Sequence, residues 1–165
     1  MSTAPTAKLV PPGDHKTILL FAVRFDYLVT STDSGGALAA LEVTIPPRTL
    51  VKPHNHSRED EYTVVLDGTV GARVGDRIVE AGTGASMVKP RGVPHAMWNA
   101  GPEQARMIEI ITPAGFELFF RDVVDMLESG DEDPERGAAL ATSYGLSFPD
   151  TPWLPDLIAR YNLNA

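Results

Sequence analysis

Short apolar runs separated by turn residues fill the chain from residue 17 to residue 112. The run ILLFAVRF opens this region, and YTVVL, TVGARV and RIVEA follow later, ending at Asp67-Gly68, Gly75-Asp76 and Gly82-Thr83-Gly84. The pair Asp67-Gly68 predicts a two-residue hairpin, and Gly75-Asp76 predicts a second tight turn. The runs recur roughly every 8–12 residues, which is the spacing of a β-sandwich or barrel. The pattern therefore predicts an all-β domain.

The periodicity of the apolar positions changes after residue 113. Apolar residues then recur at helical spacing: Phe116, Phe119, Phe120, Val123, Val124 and Leu127. This pattern predicts an amphipathic helix that packs its apolar stripe on the outside of the β-domain. A second, short helix is predicted to begin at Pro134 behind an acidic cap and to stop near Gly145. A last helix would carry Trp153 and be capped by Asp150 or Thr151.

These patterns divide the chain of 165 residues into three parts. Residues 1–16 are predicted to be a flexible N-terminal arm, with exchange of a strand with a partner subunit as the alternative. Residues 17–112 form the β-domain, and residues 113–165 form a C-terminal helical extension packed on it. The length suits one domain rather than two.

Charge and composition exclude several classes of function. Lys and Arg number 14 against 22 Asp and Glu, which gives a net charge of −8. Binding to nucleic acid or to an anionic membrane surface needs a basic footprint, so neither is expected. The chain has no cysteine, which excludes disulfides and thiolate metal sites. The longest apolar run, residues 18–23, is too short to span a membrane, and a cytoplasmic location is predicted.

Three of the four histidines lie in two patterned segments. His54 and His56 are two residues apart, so their side chains point the same way from a strand. Glu61 follows at an odd spacing, and the intervening residues must turn or bulge to bring it to the same centre. His95 opens a strand after the corner PRGVP. Three imidazoles and one carboxylate suit a divalent transition metal and leave coordination positions open.

The two segments resemble the cupin family, whose pattern is G-x5-H-x-H-x3,4-E-x6-G followed by G-x5-P-x-G-x2-H-x3-N. Nine of the ten fixed positions are filled within 52 residues. Besides the four residues above, the filled positions are Gly68, Gly84, Pro90, Gly92 and Asn99. Arg48 stands at the first glycine, which affects a turn and not a ligand.

The resemblance implies an antiparallel jelly-roll β-barrel that holds one divalent transition metal ion. The implied metal ligands are His54, His56, Glu61 and His95. Iron, manganese, nickel, cobalt, copper and zinc all tolerate this donor set. Over roughly residues 17–127 the chain looks like single-domain cupins related to quercetin 2,3-dioxygenase. Small cupins often associate through sheet edges, so a homodimer is expected.

The resemblance suggests a metal-dependent dioxygenase acting on a small hydroxylated aromatic of the flavonol kind. In this hypothesis Glu61 accepts the proton of the bound hydroxyl, and the substrate then reacts with O2. One alternative is a metal-dependent isomerase or lyase, and another is a metal-containing protein that binds a small ligand without turnover. Fold and ligand set do not decide between them.

Other residues carry weaker expectations. Phe25, Met87, Met97 and Trp98 either line a pocket or fill the core. Alternation along the strand predicts that Met97 faces inward and Trp98 outward. Candidate substrate contacts are Tyr27, Tyr62 and Arg73.

The remaining candidates are expected to be structural or solvated. Glu59 and Asp60 are predicted to be solvated turn residues, although Asp60 fits the shorter spacing of the cupin pattern. His15 is expected to be exposed, and Asn99 to set a turn.

Overall fold

The computed structural model describes residues 7–164, within which the chain forms eleven strands and four helices. The strands are β1 (Thr17–Leu20), β2 (Val23–Val29), β3 (Ala39–Ile45), β4 (Thr49–His56), β5 (Asp60–Asp67), β6 (Thr69–Val74), β7 (Arg77–Gly82), β8 (Ser86–Lys89), β9 (His95–Asn99), β10 (Ala105–Thr112) and β11 (Leu146–Ser147). The helices are α1 (Ser31–Ser34), α2 (Glu117–Glu128), α3 (Pro134–Ser143) and α4 (Leu154–Tyr161).

The strands form two antiparallel sheets. One contains six strands in the order β1-β2-β3-β10-β5-β8, and the other contains five in the order β11-β4-β9-β6-β7. Side chains alternate between the two faces of a strand, and those on one face point into the core. In β10, for example, Ala105, Met107 and Ile111 are buried, and their neighbours are half-buried. The prediction of an all-β antiparallel fold with C-terminal helices is confirmed.

The apolar run ILLFAVRF does not form one strand. It folds back as a hairpin in which Leu20 pairs with Val23. The two turn residues, Phe21 and Ala22, have φ of 48° and 68°. Positive φ at both central residues matches the type I′ turn, which usually contains Asn or Gly. No turn signal marks this position in the sequence, and the apolar Phe21 is 77% exposed at the hairpin tip.

The turn predicted at Gly75-Asp76 joins a hairpin, because β6 pairs with β7. The hairpin predicted at Asp67-Gly68 was wrong, because the chain passes there from β5 in the six-stranded sheet to β6 in the five-stranded sheet, and the two strands do not pair. Asp67 ends β5 and Thr69 begins β6, with Gly68 at φ 76° between them. A Cβ at Gly68 would lie 3.2 Å from Ala105, so both the backbone and the available space favour glycine. Gly75 likewise adopts positive φ between β6 and β7.

The predicted helices form after residue 113. Asp133 caps α3 by accepting a hydrogen bond from the backbone N–H of Glu135. The expected caps of α4 were wrong, because Trp153 occupies the N-cap without a side-chain bond. The chain makes one backbone turn first, in which Leu154 N–H donates to the Thr151 carbonyl.

The C-terminal extension contacts the β-domain at several places. Helix α2 packs against β1, and the short strand β11 joins the edge of the five-stranded sheet beside β4. Helix α4 covers the outer face of that sheet, where Leu157 and Leu163 pack with Trp98. Farther along, Asn164 N–H donates to the carbonyl of Arg48, next to the start of β4. Strand β4 is therefore held by the extension at both ends.

The predicted N-terminal arm lies partly outside the described residues. Residues 7–16 contain no helix or strand, and Lys8 forms an ion pair with Asp33 at 2.8 Å. The division into arm, β-domain and extension stays a prediction. Within residues 7–164, no helix combines the length and the apolar character needed to cross a membrane.

An apolar band lies on the outer face of the six-stranded sheet. Tyr62 and Val88 are paired neighbours, and Val64 and Leu66 follow along β5. All four are exposed, Val88 by 57%. The expected homodimer stays a prediction.

The contact between Gly71 and Trp98 gives a test of the packing between β6 and β9. A Cβ at Gly71 would lie 2.2 Å from Trp98 Nε1, and Trp98 is only 1% exposed. We expect Gly71→Ala to lower the free energy of unfolding by about 1–3 kcal/mol through overpacking. Urea denaturation measures it, with Gly82→Ala as the control, because a Cβ there meets no atom within 4 Å. Equal stability of the two variants would contradict this packing.

Candidate metal centre

The four residues predicted as metal ligands come together between the two sheets. His54 and His56 lie at the end of β4, and His95 is the first residue of β9, directly opposite His54 in the sheet. Glu61 lies on β5, in the other sheet. One donor atom from each of the four residues lies within 4.8 Å of the others. The cluster is therefore positioned to bind a metal.

The local structure explains how the sequence brings these side chains together. The register of β4 against β9 shifts between Val51 and His54. The chain then leaves β4 after His56 and turns through residues 57–59 into β5. The odd spacing between His56 and Glu61 is thus explained, because Glu61 approaches the other donors from the next strand, β5. On the other side, Gly92 N–H in the corner before β9 donates to the His56 carbonyl at 2.7 Å.

The hydrogen bonds of two imidazoles leave their Nε2 atoms free. His54 Nδ1 lies 2.7 Å from the carbonyl oxygen of Lys52, and His95 Nδ1 lies 3.3 Å from that of Val93. A proton on Nδ1 makes each of these a donor and leaves Nε2 as the ligand atom. His95 Nε2 lies 2.9 Å from Glu61 Oε2, and His56 Nε2 lies 3.5 Å from Glu61 Oε1.

Buried polar atoms without hydrogen-bond partners concentrate at this point. They include both ring nitrogens of His56, His95 Nε2 and Glu61 Oε2. An unsatisfied buried polar atom costs about 1–3 kcal/mol, and a metal ion would satisfy all the atoms that face the centre. The donor set of imidazoles and carboxylate fits a divalent transition metal.

Burial keeps two of the imidazoles neutral. Desolvation, together with the neighbouring His95, lowers the pKa of His54 to about 3. Desolvation also lowers the pKa of His95. Because a metal binds the neutral imidazole, both residues are in the protonation state that a ligand requires.

A buried charge network lies directly behind Glu61. Lys89 is 1% exposed, and its Nζ lies 3.1 Å from Glu61 Oε2 and 2.8 Å from Glu109 Oε2. Thr63 Oγ1 donates to Glu109 at 2.9 Å, and Met97 Sδ lies 3.3 Å from the ammonium. One buried cation thus serves two buried carboxylates.

The network sets the charges of its members. Burial alone would raise the pKa of Glu61, but the ammonium of Lys89 and the close approach of His95 hold it well below its usual range. Burial opposes the charge of Lys89 too, yet the two carboxylates raise its pKa. Burial raises the pKa of Glu109 to about 7. Glu61 is therefore an ionised ligand, and Glu109 is the carboxylate that is less well compensated.

Sequence reasoning missed Lys89, Glu109 and Thr63, although their positions follow from strand alternation. Glu109 shares a face with Met107 and Ile111, and Lys89 lies two residues after the inward Met87. The signal that could have found them is a charged residue at an inward-facing position of a strand, because a protein retains a charge in its interior only when that charge has a partner.

The prediction for Glu59 was wrong, because this residue is 5% exposed and not solvated. Its Oε2 lies 3.6 Å from Nδ1 of His56. The turn that reverses the chain folds this side chain inward, behind the imidazole. Asp60 instead pairs with Arg91 at 2.7 Å on the surface, so the shorter spacing of the cupin pattern does not apply.

The three candidate substrate contacts lie away from the cluster. Tyr27 is buried and donates to the carbonyl of Glu117 at 2.6 Å. Tyr62 belongs to the outer apolar band. Arg73 stacks on Trp153, with 4.4 Å from its guanidinium carbon to the ring centre. Strand alternation and the packing of the extension explain these positions.

The other side chains singled out in the sequence have structural roles. Met87 and Met97 lie in the core between the sheets, while Trp98 faces the opposite way, as alternation predicts. Phe25 stacks on Phe120 of α2 with 4.2 Å between ring centres. Asn99 donates to the carbonyls of Ile45 and Glu103 and fixes a turn.

Two further positions differ from simple expectation. His15 is half-buried, not exposed. Arg48, at the glycine position of the pattern, has φ of 56°. The turn therefore keeps the left-handed backbone that favours glycine.

A cleft of about 470 Å³ opens beside the cluster, between the β-domain and the extension. Glu59, Arg58, Phe116 and Tyr144 are among the residues that line it, and none of the four ligand candidates does. The Phe116 ring packs edge-on against His56 with 4.2 Å between centres. The cleft is thus lined by two residues that lie against His56, Phe116 and Glu59, and not by the ligand candidates themselves.

Solved structures show the same fold at low sequence identity. A predicted oxalate decarboxylase from Thermotoga maritima matches with a TM-score of 0.61 and 17% identity, over 64% of this chain and 99% of its own. KdgF from a Halomonas species matches with a TM-score of 0.60 and 16% identity, over 68% of this chain and 99% of its own. The polyketide cyclase RemF from Streptomyces resistomycificus matches with a TM-score of 0.58 and 23% identity, over 65% of this chain and 80% of its own.

Sequence comparison gives the family. No curated protein matches the chain. The family profile described as "Cupin domain" matches residues 41–111, the segment that contains all four ligand candidates, the buried Lys89 and Glu109. The histidine pattern, the pair of antiparallel sheets and this match agree, and residues 41–111 form a cupin domain.

Proposed function

We propose that this protein is a metal-dependent dioxygenase that acts on a small hydroxylated aromatic compound. The observation that carries the proposal is the convergence of His54, His56, His95 and Glu61, whose donor atoms lie within 4.8 Å of one another. Ring nitrogens of His56 and His95 and one oxygen of Glu61 are buried there without a hydrogen-bond partner. A bound divalent metal would act there as a Lewis acid and lower the pKa of a hydroxyl group that binds to it.

The surroundings of the cluster favour an apolar or aromatic substrate. Phe116 packs on His56, and Phe119, Phe120 and Phe25 continue this aromatic group along α2 and β2. Apolar and aromatic walls with a few polar groups are typical of small-molecule sites. They also exclude water, which strengthens electrostatic interactions at the centre.

The residues of the chain divide the work in this proposal. The three histidines hold the metal, and the backbone carbonyls of Lys52 and Val93 keep the Nδ1 protons of His54 and His95. Glu61 completes the ligand set and accepts the proton of the substrate hydroxyl. Lys89 stabilises the ionised form of Glu61, which makes the carboxylate a better ligand and a weaker base, so the base role needs a direct test.

A second function, a metal-dependent isomerase or lyase, is favoured by the buried network. Lys89 beside Glu61 is an ammonium and a carboxylate 3.1 Å apart, a pairing that suits proton transfer without oxygen. The structural neighbours carry different names, which agrees with the rule that a fold does not fix a reaction.

Oxygen uptake separates these functions. Protein of known metal content is offered quercetin and simpler flavonols in an oxygen electrode, and the assay is repeated with Glu61→Gln. We expect uptake that follows metal content and falls by about 10²–10⁴-fold in the variant, the usual contribution of a general base.

The control for this assay is Glu80→Gln, an exposed carboxylate on β7. If Glu61→Gln loses its metal, the residue acts as a ligand. If it keeps the metal and full activity, the base role is wrong. Substrate conversion without oxygen consumption would contradict the dioxygenase and support the isomerase or lyase.

A further inference from the structure

We propose that the C-terminal extension contributes to metal binding, because it fixes the orientation of the His56 imidazole and thereby sets the affinity for the metal. The residues that do this, Phe116 and 145–147, lie outside the segment that matches the cupin profile. The inference rests on the proposed metal centre.

His56 differs from the other two histidines in how its ring is held. The Nδ1 atoms of His54 and His95 bond to carbonyl oxygens two residues before them in the chain. His56 has no such bond, and both of its ring nitrogens are buried without a hydrogen-bond partner. Its orientation therefore depends on packing and on the nearby carboxylate of Glu59.

The packing on His56 comes from the extension. The ring of Phe116, which is 4% exposed, stands perpendicular to the imidazole at an angle of 89° and 4.2 Å between centres. On the outer side, Glu59 Oε2 lies 3.6 Å from Nδ1. Together they hold Nε2 toward the centre. A carboxylate behind a metal-binding imidazole is a common outer-shell arrangement.

The extension also holds the backbone of His56. Leu146 in β11 pairs with His56, and Ser57 N–H donates to the Gly145 carbonyl at 3.0 Å. On the opposite side, Gly92 N–H donates to the His56 carbonyl. The ligand residue is thus held between the β-domain and the extension, so a loosened extension would free one of the four ligands.

The first test replaces the ring that packs on His56. We expect Phe116→Leu to weaken binding of Zn²⁺ and Co²⁺ by about 10–100-fold, as outer-shell changes do, and to shift the visible absorption of bound Co²⁺. Competition with a chelator gives the dissociation constant. Phe148→Leu is the control, because Phe148 also lies in the extension but is 61% exposed.

A second pair of variants tests the backbone contact. A Cβ at Gly145 would lie 2.6 Å from Ser57 Oγ and 3.1 Å from Arg58 Nε, whereas one at Gly130 meets no atom within 4 Å. The two glycines have φ of 76° and 77°, so the backbone strain of Gly145→Val and Gly130→Val is matched. We expect only Gly145→Val to weaken metal binding and change the Co²⁺ spectrum.

The outcomes separate this inference from the proposed metal centre. Wild-type dissociation constants and Co²⁺ spectra in both Phe116→Leu and Gly145→Val would overturn the role of the extension. Loss of stability without a change in either readout would do the same, because it shows a merely structural role. If the wild-type protein binds neither metal, the metal centre itself is wrong.

Discussion

Replacement of His56 by alanine is expected to remove nearly all of the metal that the wild-type protein retains. His56 supplies one of four donors that converge within 4.8 Å, and it is 1% exposed, so water is poorly placed to replace it. Metal analysis after dialysis and the dissociation constant from chelator competition measure the effect. We expect a loss well beyond the 10–100-fold of an outer-shell change.

His15→Ala is the matched control for His56→Ala. His15 is the one remaining histidine of the sequence and precedes β1, away from the cluster. It should leave the metal content unchanged. Wild-type metal content in His56→Ala would show that the ligand assignment is wrong, whichever reaction the protein catalyses.

Among the variants described here, Lys89→Met is expected to cause the largest decrease in the free energy of unfolding. The ammonium compensates Glu61 and Glu109 between the two sheets, and its removal leaves two buried carboxylates without a cation. Loss of one partner of a buried ion pair typically costs about 3–5 kcal/mol. Urea denaturation of the metal-free protein measures the change in the free energy of unfolding.

Two further variants make the Lys89 prediction specific. Lys52→Met removes an exposed lysine from β4 and should change stability by no more than about 0.5 kcal/mol. Lys89→Met combined with Glu109→Gln removes one of the uncompensated charges and should recover part of the loss. If Lys89→Met is as stable as wild type, or the double variant is no better than the single one, the network does not carry the charge balance described here.

The group of four candidate metal ligands was predictable from the sequence because strand geometry relates residues that are close together in the chain. His54 and His56 share a face by alternation, and the odd spacing to Glu61 required a turn, which the structure places at residues 57–59. The helices after residue 113 were predictable for the same reason, since an apolar stripe at helical spacing needs only its own neighbours to be recognised.

The features that escaped prediction depend on contacts between distant segments. Lys89 and Glu109 meet only because β8 and β10 both flank β5. Glu59 is buried by a turn whose course depends on the extension. At Phe21-Ala22 the chain makes a left-handed turn without Asn or Gly, so no local signal marks the reversal.

The attachment of β4 at both ends has a consequence for the order of events during biosynthesis. Residues 54–56 leave the ribosome long before residues 145–164, which complete the pairing beside His56 and next to Thr49. Contacts between segments so far apart form late, because chain entropy opposes their closure. A nascent chain would therefore carry His56 without its partners in the extension until β11 has formed beside it.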